Sequence, residues 1–82
     1  MILHSQSLEQ SAEILRIAVP RMTSLNIPIT LENYAVWYEY YTESNLNLTR
    51  AIDGLIANDV AFTSSVNSGL FSHFGQVHLL KV

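Results

Sequence analysis

The chain has no cysteine among its 82 residues. It can therefore form neither a disulfide bond nor a thiolate metal site. Its length predicts a single domain over residues 1–82. A domain of this size buries only about 60–65% of the surface that its unfolded chain exposes, so one core is marginally stable. Small domains often gain stability from disulfides, metals or oligomerisation.

Charge is also scarce. Charged residues make up 13% of the chain and hydrophobic residues 49%, whereas charged residues are about a quarter of a typical domain. This composition predicts apolar surface beyond one small core, and we expect a homodimer or higher homo-oligomer to cover it. The basic residues are scattered, so no cationic stripe predicts nucleic acid as a partner; they are Arg16, Arg21, Arg50 and Lys81.

No apolar run reaches the ~20 residues that a membrane span needs. The opening "MILHSQSLEQ" lacks the basic and apolar blocks of a signal peptide, which predicts a cytoplasmic protein. Asn47-Leu48-Thr49 matches the N-glycosylation sequon. Because no secretion signal is predicted, we interpret it as a chance match.

Apolar residues recur at helical spacing, which predicts an all-α fold, a small bundle of about four helices. The first helix is expected to be long and kinked at Pro20, with Ser7 as its N-cap. Two shorter helices are the alternative. The predicted helices span roughly residues 7–25, 31–43, 46–58 and 64–75.

The first helix has an apolar arc wider than half its circumference, which predicts contacts on two sides. Its predicted core face is formed by Leu8, Ala12, Leu15, Val19 and Met22. Residues that widen the arc, together with one tyrosine of the second helix, are candidates for self-association: Ile14, Ile17, Leu25 and Tyr40.

Half of the ten residues in "ENYAVWYEYY", at 32–41, are Tyr or Trp. By helical phase, Leu31 and four of these rings share a face about 120° wide, whereas Tyr40 lies on its flank. The four rings are Tyr34, Trp37, Tyr38 and Tyr41. We favour a core role for them over a protein interface, and either over a small-molecule pocket. The acidic residues opposite are interpreted as a solvated stripe; they are Glu32, Glu39 and Glu43.

No pattern of catalytic residues stands out. The only histidines are His4, His73 and His78; the last two are five residues apart, which is the wrong step for one helical face, and no acidic residue accompanies them. No pair of carboxylates is arranged for acid–base chemistry, and the three glycines form no phosphate-binding loop. We therefore expect no enzymatic activity, metal or cofactor in this chain.

The stretch "IPITLENYAVWYEYYTESNLNLTRAIDGLIANDVAFT" resembles the helical N-terminal region of a group of bacterial GGDEF-type diguanylate cyclases. That region typically has a kinked helix with "LP" near its end, an "IP-T-P-NYAVWYEY" stretch, an "N-L-RA-D-L" helix, an "F" linker and an "L--HF" helix. The resemblance covers roughly residues 8–74 and is most specific at "NYAVWYEY". The matching positions are Pro20, Ile27, Pro28, Thr30, Asn33 to Tyr40, Asn45, Leu48, Arg50, Ala51, Asp53, Leu55, Phe62, Leu70, His73 and Phe74.

Two departures accompany this resemblance. Leu31 stands where the family usually has proline, and the sequence lacks the "GGDEF" catalytic motif. The tail "GQVHLLKV" does not continue as the long charged helix expected to lead into a cyclase. The chain is then expected to be either an N-terminal domain on its own or a short stand-alone relative.

The resemblance implies a parent protein that condenses two GTP into cyclic di-GMP with Mg²⁺. Because each cyclase domain of that type brings one GTP, two must meet, and an N-terminal domain can control them through dimer geometry or by sensing a signal. The predicted function is therefore a non-catalytic regulatory and dimerisation domain. The alternatives are a small-molecule-sensing domain with an aromatic pocket and a stand-alone interaction domain.

Overall fold

The computed structural model of the chain describes residues 8–75. Its elements are α1 (Leu8–Ser24), α2 (Leu31–Thr42), α3 (Leu46–Ala57), α4 (Ser64–Leu70) and a π-helical turn, Phe71–Gly75, that continues α4. The described part of the chain contains no strand, so the predicted all-α bundle of four helices is confirmed. The predicted cap Ser7, together with His4, His78 and Lys81, lies outside the described residues.

Side-chain caps fix where three of the helices begin. The Thr30 hydroxyl accepts a hydrogen bond from the Asn33 amide at 3.1 Å, and Thr63 caps α4 in the same way. The Asn45 side chain accepts from two backbone amides at the start of α3. Each cap satisfies N–H groups that have no partner inside the helix, which stabilises that helix start.

Helix α1 continues without interruption through Pro20, so the alternative of two shorter helices is wrong. Proline lacks the N–H that would bond the carbonyl of Arg16. Pro20 is solvent-exposed, so it lies on the side of α1 where water is available to that carbonyl. The kink at Pro20 stays a prediction.

Helix α2 is the centre of the bundle, in contact with α1, α3, α4 and the π-helical turn. Its Val36 and Trp37 are buried, and the core around them draws on every helix and on the connections. The other buried apolar residues are Ala18, Met22, Ile27, Leu48, Ile52, Phe62 and Leu70.

The face of α1 that was predicted to point into the core differs in direction from the face that the structure buries. The buried residues of α1 are Ala18 and Met22, whereas Leu8 is 88% exposed and Leu15 is 49% exposed. At ~100° per residue, the buried direction is rotated by about 60° from the predicted one. The apolar arc is too wide to define one direction, and the small side chain of Ala18 allows close approach on this side.

The predicted solvated stripe of α2 is only partly correct. Glu32 and Glu43 are exposed, but Glu39 is buried, with 8% of its surface exposed. Conversely, Leu31 was placed on the buried face and is 77% exposed. Glu39 is covered because α2 has neighbours on several sides, whereas Leu31 is the first residue of the helix.

Candidate functional site

The aromatic stretch of α2 builds the centre of the core. Trp37 is 1% exposed, and its ring lies 5.1 Å from that of Tyr40, 6.1 Å from Tyr41 and 5.8 Å from Phe62, measured between ring centroids. We call these four residues the aromatic cluster. Its ring pairs are tilted or edge-to-face, which are favourable geometries. The structure thus places Trp37 in the interior.

The remaining two tyrosines of α2 lie to one side of this cluster. The rings of Tyr34 and Tyr38 are 6.0 Å apart in an edge-to-face arrangement. The Tyr38 hydroxyl lies 3.5 Å from that of Ser11, on α1. Both tyrosines are half-buried, so they fill the junction between α1 and α2 rather than present a flat exposed surface.

A hydrogen bond from Tyr40 joins α2 to α3. Its hydroxyl donates to the Asp53 carboxylate at 2.5 Å. Burial, followed by this hydrogen bond and the negative charge of Asp53, raises the pKa of Tyr40 to about 12, although Arg21 on α1 lowers it. The phenol is therefore neutral at physiological pH, where it acts as a structural link and not as a base or nucleophile.

Replacing Tyr40 by phenylalanine removes this link while keeping the ring. Because the bond is solvent-accessible, we expect a loss of about 0.5–1.5 kcal/mol in the free energy of unfolding at neutral pH. Urea unfolding followed by circular dichroism measures it. Tyr38→Phe is the matched control, since it deletes a hydroxyl with only one long contact. Equal losses in the two variants would contradict a specific role for the Tyr40–Asp53 bond.

The raised pKa of Tyr40 also predicts a pH dependence. The folded state holds this proton more tightly than the unfolded chain, whose tyrosine pKa is near 10. The stabilisation is therefore complete below pH 10 and is lost as the pH rises towards about 12. Burial also raises the pKa of Tyr34 and of Tyr41. Tyr40→Phe should reduce, not abolish, the loss of stability in alkaline solution.

The residues predicted for self-association do not form one exposed surface. Leu25 and Tyr40 pack against the core, and Ile14 is half-buried. Ile17 is 43% exposed but lies on the side of α1 opposite Leu8. Self-association through these four residues is untested and stays a prediction.

An exposed apolar stripe runs along α1 instead. Leu8 is largely exposed and Leu15 is about half exposed, and Ala12 and Val19 beside them are half-buried. We call these four residues the α1 stripe. They are spaced by four, three and four residues, the spacing that places side chains in a single row on a helix. The same row belongs to the face of α1 whose helical spacing predicts burial in the core of its own chain.

A groove of about 590 Å³ opens between the start of α2 and α4. Its lining is mainly amide and hydroxyl side chains, with Phe62 and Phe71 as the larger apolar parts. Neither Trp37 nor any tyrosine lines it. This groove is therefore not the aromatic pocket that the small-molecule alternative predicts. The lining residues are Asn26, Pro28, Thr30, Glu32, Asn33, Phe62, Thr63, Ser64, Asn67, Ser68, Phe71 and Ser72.

Within residues 8–75, no three histidine, aspartate or glutamate side chains come together as a metal site would require. His73 is exposed, and its ring stacks edge-on against Phe74 at 5.5 Å. None of the helices described is long and apolar enough to cross a bilayer.

Comparison of the chain with known protein families, with curated proteins and with solved structures gave no significant match. The likeness to the N-terminal region of diguanylate cyclases therefore rests on the residues quoted for it, and stays a prediction.

Proposed function

We propose that this chain is a non-catalytic regulatory domain that acts by self-association. The observation that carries the proposal is the α1 stripe, a row of four apolar side chains of which Leu8 and Leu15 are exposed and Ala12 and Val19 are half-buried. Burying a leucine contributes roughly 1.5–3 kcal/mol. Leu8 and Leu15 of each copy are therefore the side chains expected to contribute most to an association, against the entropy cost of bringing two chains together.

The composition of the chain supports this interpretation. Only 13% of its residues are charged, and among the described elements only α2 makes an extensive contact with α1. A row of apolar side chains at this spacing is the pattern that pairs helices in coiled coils. A second copy offers the same row, so a symmetric pair covers both stripes at once.

We further propose, from the resemblance, that the domain belongs to a diguanylate cyclase. In such a protein two cyclase domains, each with GTP and Mg²⁺, must meet to form cyclic di-GMP. An N-terminal domain that pairs through α1 raises the local concentration of the cyclase domains attached to it. The domain then regulates synthesis without contributing a catalytic group.

Sedimentation velocity from low to high micromolar concentration tests the association. The wild-type chain should shift from monomer to dimer. Leu15→Glu puts two carboxylates into the proposed contact and should weaken association at least about 100-fold. Ile17→Glu, on the opposite side of α1, is the matched control and should dimerise normally.

A wild-type chain that remains a monomer at high micromolar concentration would contradict the proposal. So would an Ile17→Glu variant that loses association as completely as Leu15→Glu. Placed ahead of a GGDEF domain, the wild-type sequence should also support more cyclic di-GMP synthesis than Leu15→Glu, which tests the regulatory part separately.

A further inference from the structure

The groove between the start of α2 and α4 is lined by residues from 26–33 and 62–72, and we call it the polar groove. Its volume of about 590 Å³ lies within the roughly 300–1,000 Å³ of pockets that hold small molecules. We propose that it binds a small, uncharged ligand rich in hydroxyl groups, such as a mono- or disaccharide. The proposal does not depend on self-association, because no residue of α1 lines this groove.

The α2 side and the α4 side of the polar groove share one arrangement, a threonine cap followed within four residues by an asparagine. Thr30 and Thr63 cap the two helices. The side-chain nitrogen of Asn33 donates to the backbone carbonyl five residues earlier at 3.0 Å, and that of Asn67 does the same at 3.3 Å. These bonds hold both asparagines in place before a ligand arrives, which lowers the entropy cost of binding.

The two sides offer hydrogen-bond donors as well as acceptors. A threonine hydroxyl that accepts a capping bond keeps its own proton to donate. Because an asparagine can meet a carbonyl only with its nitrogen, the bonds of Asn33 and Asn67 also fix which end of each amide is the oxygen acceptor. Three exposed serines, spaced by four residues, add hydroxyls on the α4 side; they are Ser64, Ser68 and Ser72. Neutral groups of both kinds match a sugar, whose hydroxyls each donate and accept.

The charge of the polar groove disfavours other classes of ligand. Among the described residues that line it, Glu32 is the only ionisable one. A phosphate or carboxylate ligand would therefore find no cation to pair with and would be repelled by Glu32. Because Glu32 is exposed, its attraction for an amine is weak. A wholly apolar ligand would remove water from the hydroxyls and amides without replacing their hydrogen bonds.

Two phenylalanines give the polar groove an apolar part. Phe71 is half-buried, so some of its ring surface remains accessible to a ligand. Phe62 is 7% exposed and is held by its contact with Trp37, 5.8 Å away between ring centroids. A pyranose ring has C–H groups on its faces and hydroxyls around its edge. It can therefore pack against an aromatic ring while its hydroxyls bond to the polar side chains.

Binding is expected to be weak. A groove that is open to solvent covers less of a ligand than an enclosed pocket does, so we expect a dissociation constant of about 1 mM for a monosaccharide. A ligand that contacts both α2 and α4 should also stabilise the folded chain, and the stabilisation should rise with ligand concentration.

Titration of the isotope-labelled full chain with D-glucose, followed by the amide chemical shifts, tests this site. Binding should shift amides within residues 26–33 and 62–72 and leave those of α1 and α3 unchanged. Maltose is the second probe, and tighter binding of maltose than of glucose would support a site for the end of a sugar chain. Inorganic phosphate and neutralised ethanolamine are the charged probes, and both should bind more weakly than glucose.

A pair of variants on α4 tests the location. Ser68→Gln puts a longer side chain into the polar groove at an exposed helical position, and should weaken glucose binding at least about 10-fold. Ser65→Gln is the matched control, since Ser65 is exposed on the same helix but does not line the groove; it should bind glucose as the wild type does. Circular dichroism should show both variants folded.

Three results would overturn the proposal. The first is a wild-type chain whose amides do not respond to glucose or maltose well above the expected dissociation constant. The second is equal weakening by Ser65→Gln and Ser68→Gln, which would remove the site from the polar groove. The third is tighter binding of phosphate or ethanolamine than of glucose, which would contradict an uncharged ligand. None of these results bears on self-association, which sedimentation tests separately.

Discussion

Replacement of Trp37 by alanine is expected to remove a large part or all of the stability of the domain. The indole is 1% exposed at the centre of the helix that contacts every other element, and the rings of Tyr40, Tyr41 and Phe62 pack around it. Truncating a buried tryptophan costs about 3–5 kcal/mol. A domain of this length has a total stability of roughly 4–12 kcal/mol. The loss therefore takes a large part or all of it.

Urea unfolding followed by far-ultraviolet circular dichroism measures this loss, because the variant has no tryptophan left for fluorescence. Trp37→Phe is the matched control: it keeps an aromatic ring in the cluster and should give a clearly smaller destabilisation. A Trp37→Ala chain that stays fully folded but fails to dimerise would contradict the core role, and would move Trp37 to the contact between copies.

The second large effect is expected at Met22. Its side chain is 0% exposed and, with Ala18, anchors α1 to the bundle. Met22→Ala should lower the free energy of unfolding by about 2–5 kcal/mol. Leu15→Ala removes a side chain of similar size from the same helix, yet Leu15 is 49% exposed. Its cost to the isolated monomer should be within about 1 kcal/mol.

The free energy of unfolding of both variants is measured by urea at low protein concentration, where association contributes nothing to stability. Raising the concentration should then stabilise wild type and leave Leu15→Ala nearly unchanged, because the proposed association depends on the stripe. Equal losses for Met22→Ala and Leu15→Ala in the monomer would show that α1 packs with the face that the sequence pattern predicted, and not with the one described above.

Much of the fold follows from local signals. The helix starts were predictable because Thr30, Asn45 and Thr63 offer side-chain oxygens just ahead of apolar, helical segments. In the structure, a single residue with positive φ follows closely after each of the first three helices. These residues are Asn26, Glu43 and Asp59.

The orientation of α1 could not be predicted in the same way. An arc wider than half the circumference contains several equally apolar directions, and tertiary packing chose the one where Ala18 lets α2 approach. The burial of Glu39 was missed for a related reason. Helical phase shows which residues share a face of α2, but not that neighbours cover nearly all of its faces.

The candidate site was the least predictable part. The α1 stripe has an apolar, regular pattern that also describes a core face, so sequence alone cannot assign it to its own bundle or to a second copy. The polar groove combines residues 26–33 with residues 62–72. Asparagine, serine and threonine occur in both segments as ordinary turn and cap residues, so nothing indicated that they line one cavity.

The two anchoring residues of α1 have a consequence for motion. Because Ala18 and Met22 are the buried residues of this helix, α1 is joined to the bundle by less apolar area than α2 is. Proteins open in cooperative units whose free energies follow such differences. Helix α1 is therefore expected to open before α2, with its amides exchanging with solvent sooner than those of α2. A second copy bound along α1 would slow that opening in proportion to its concentration, so that occupancy of the pair would also set how long the first helix stays docked.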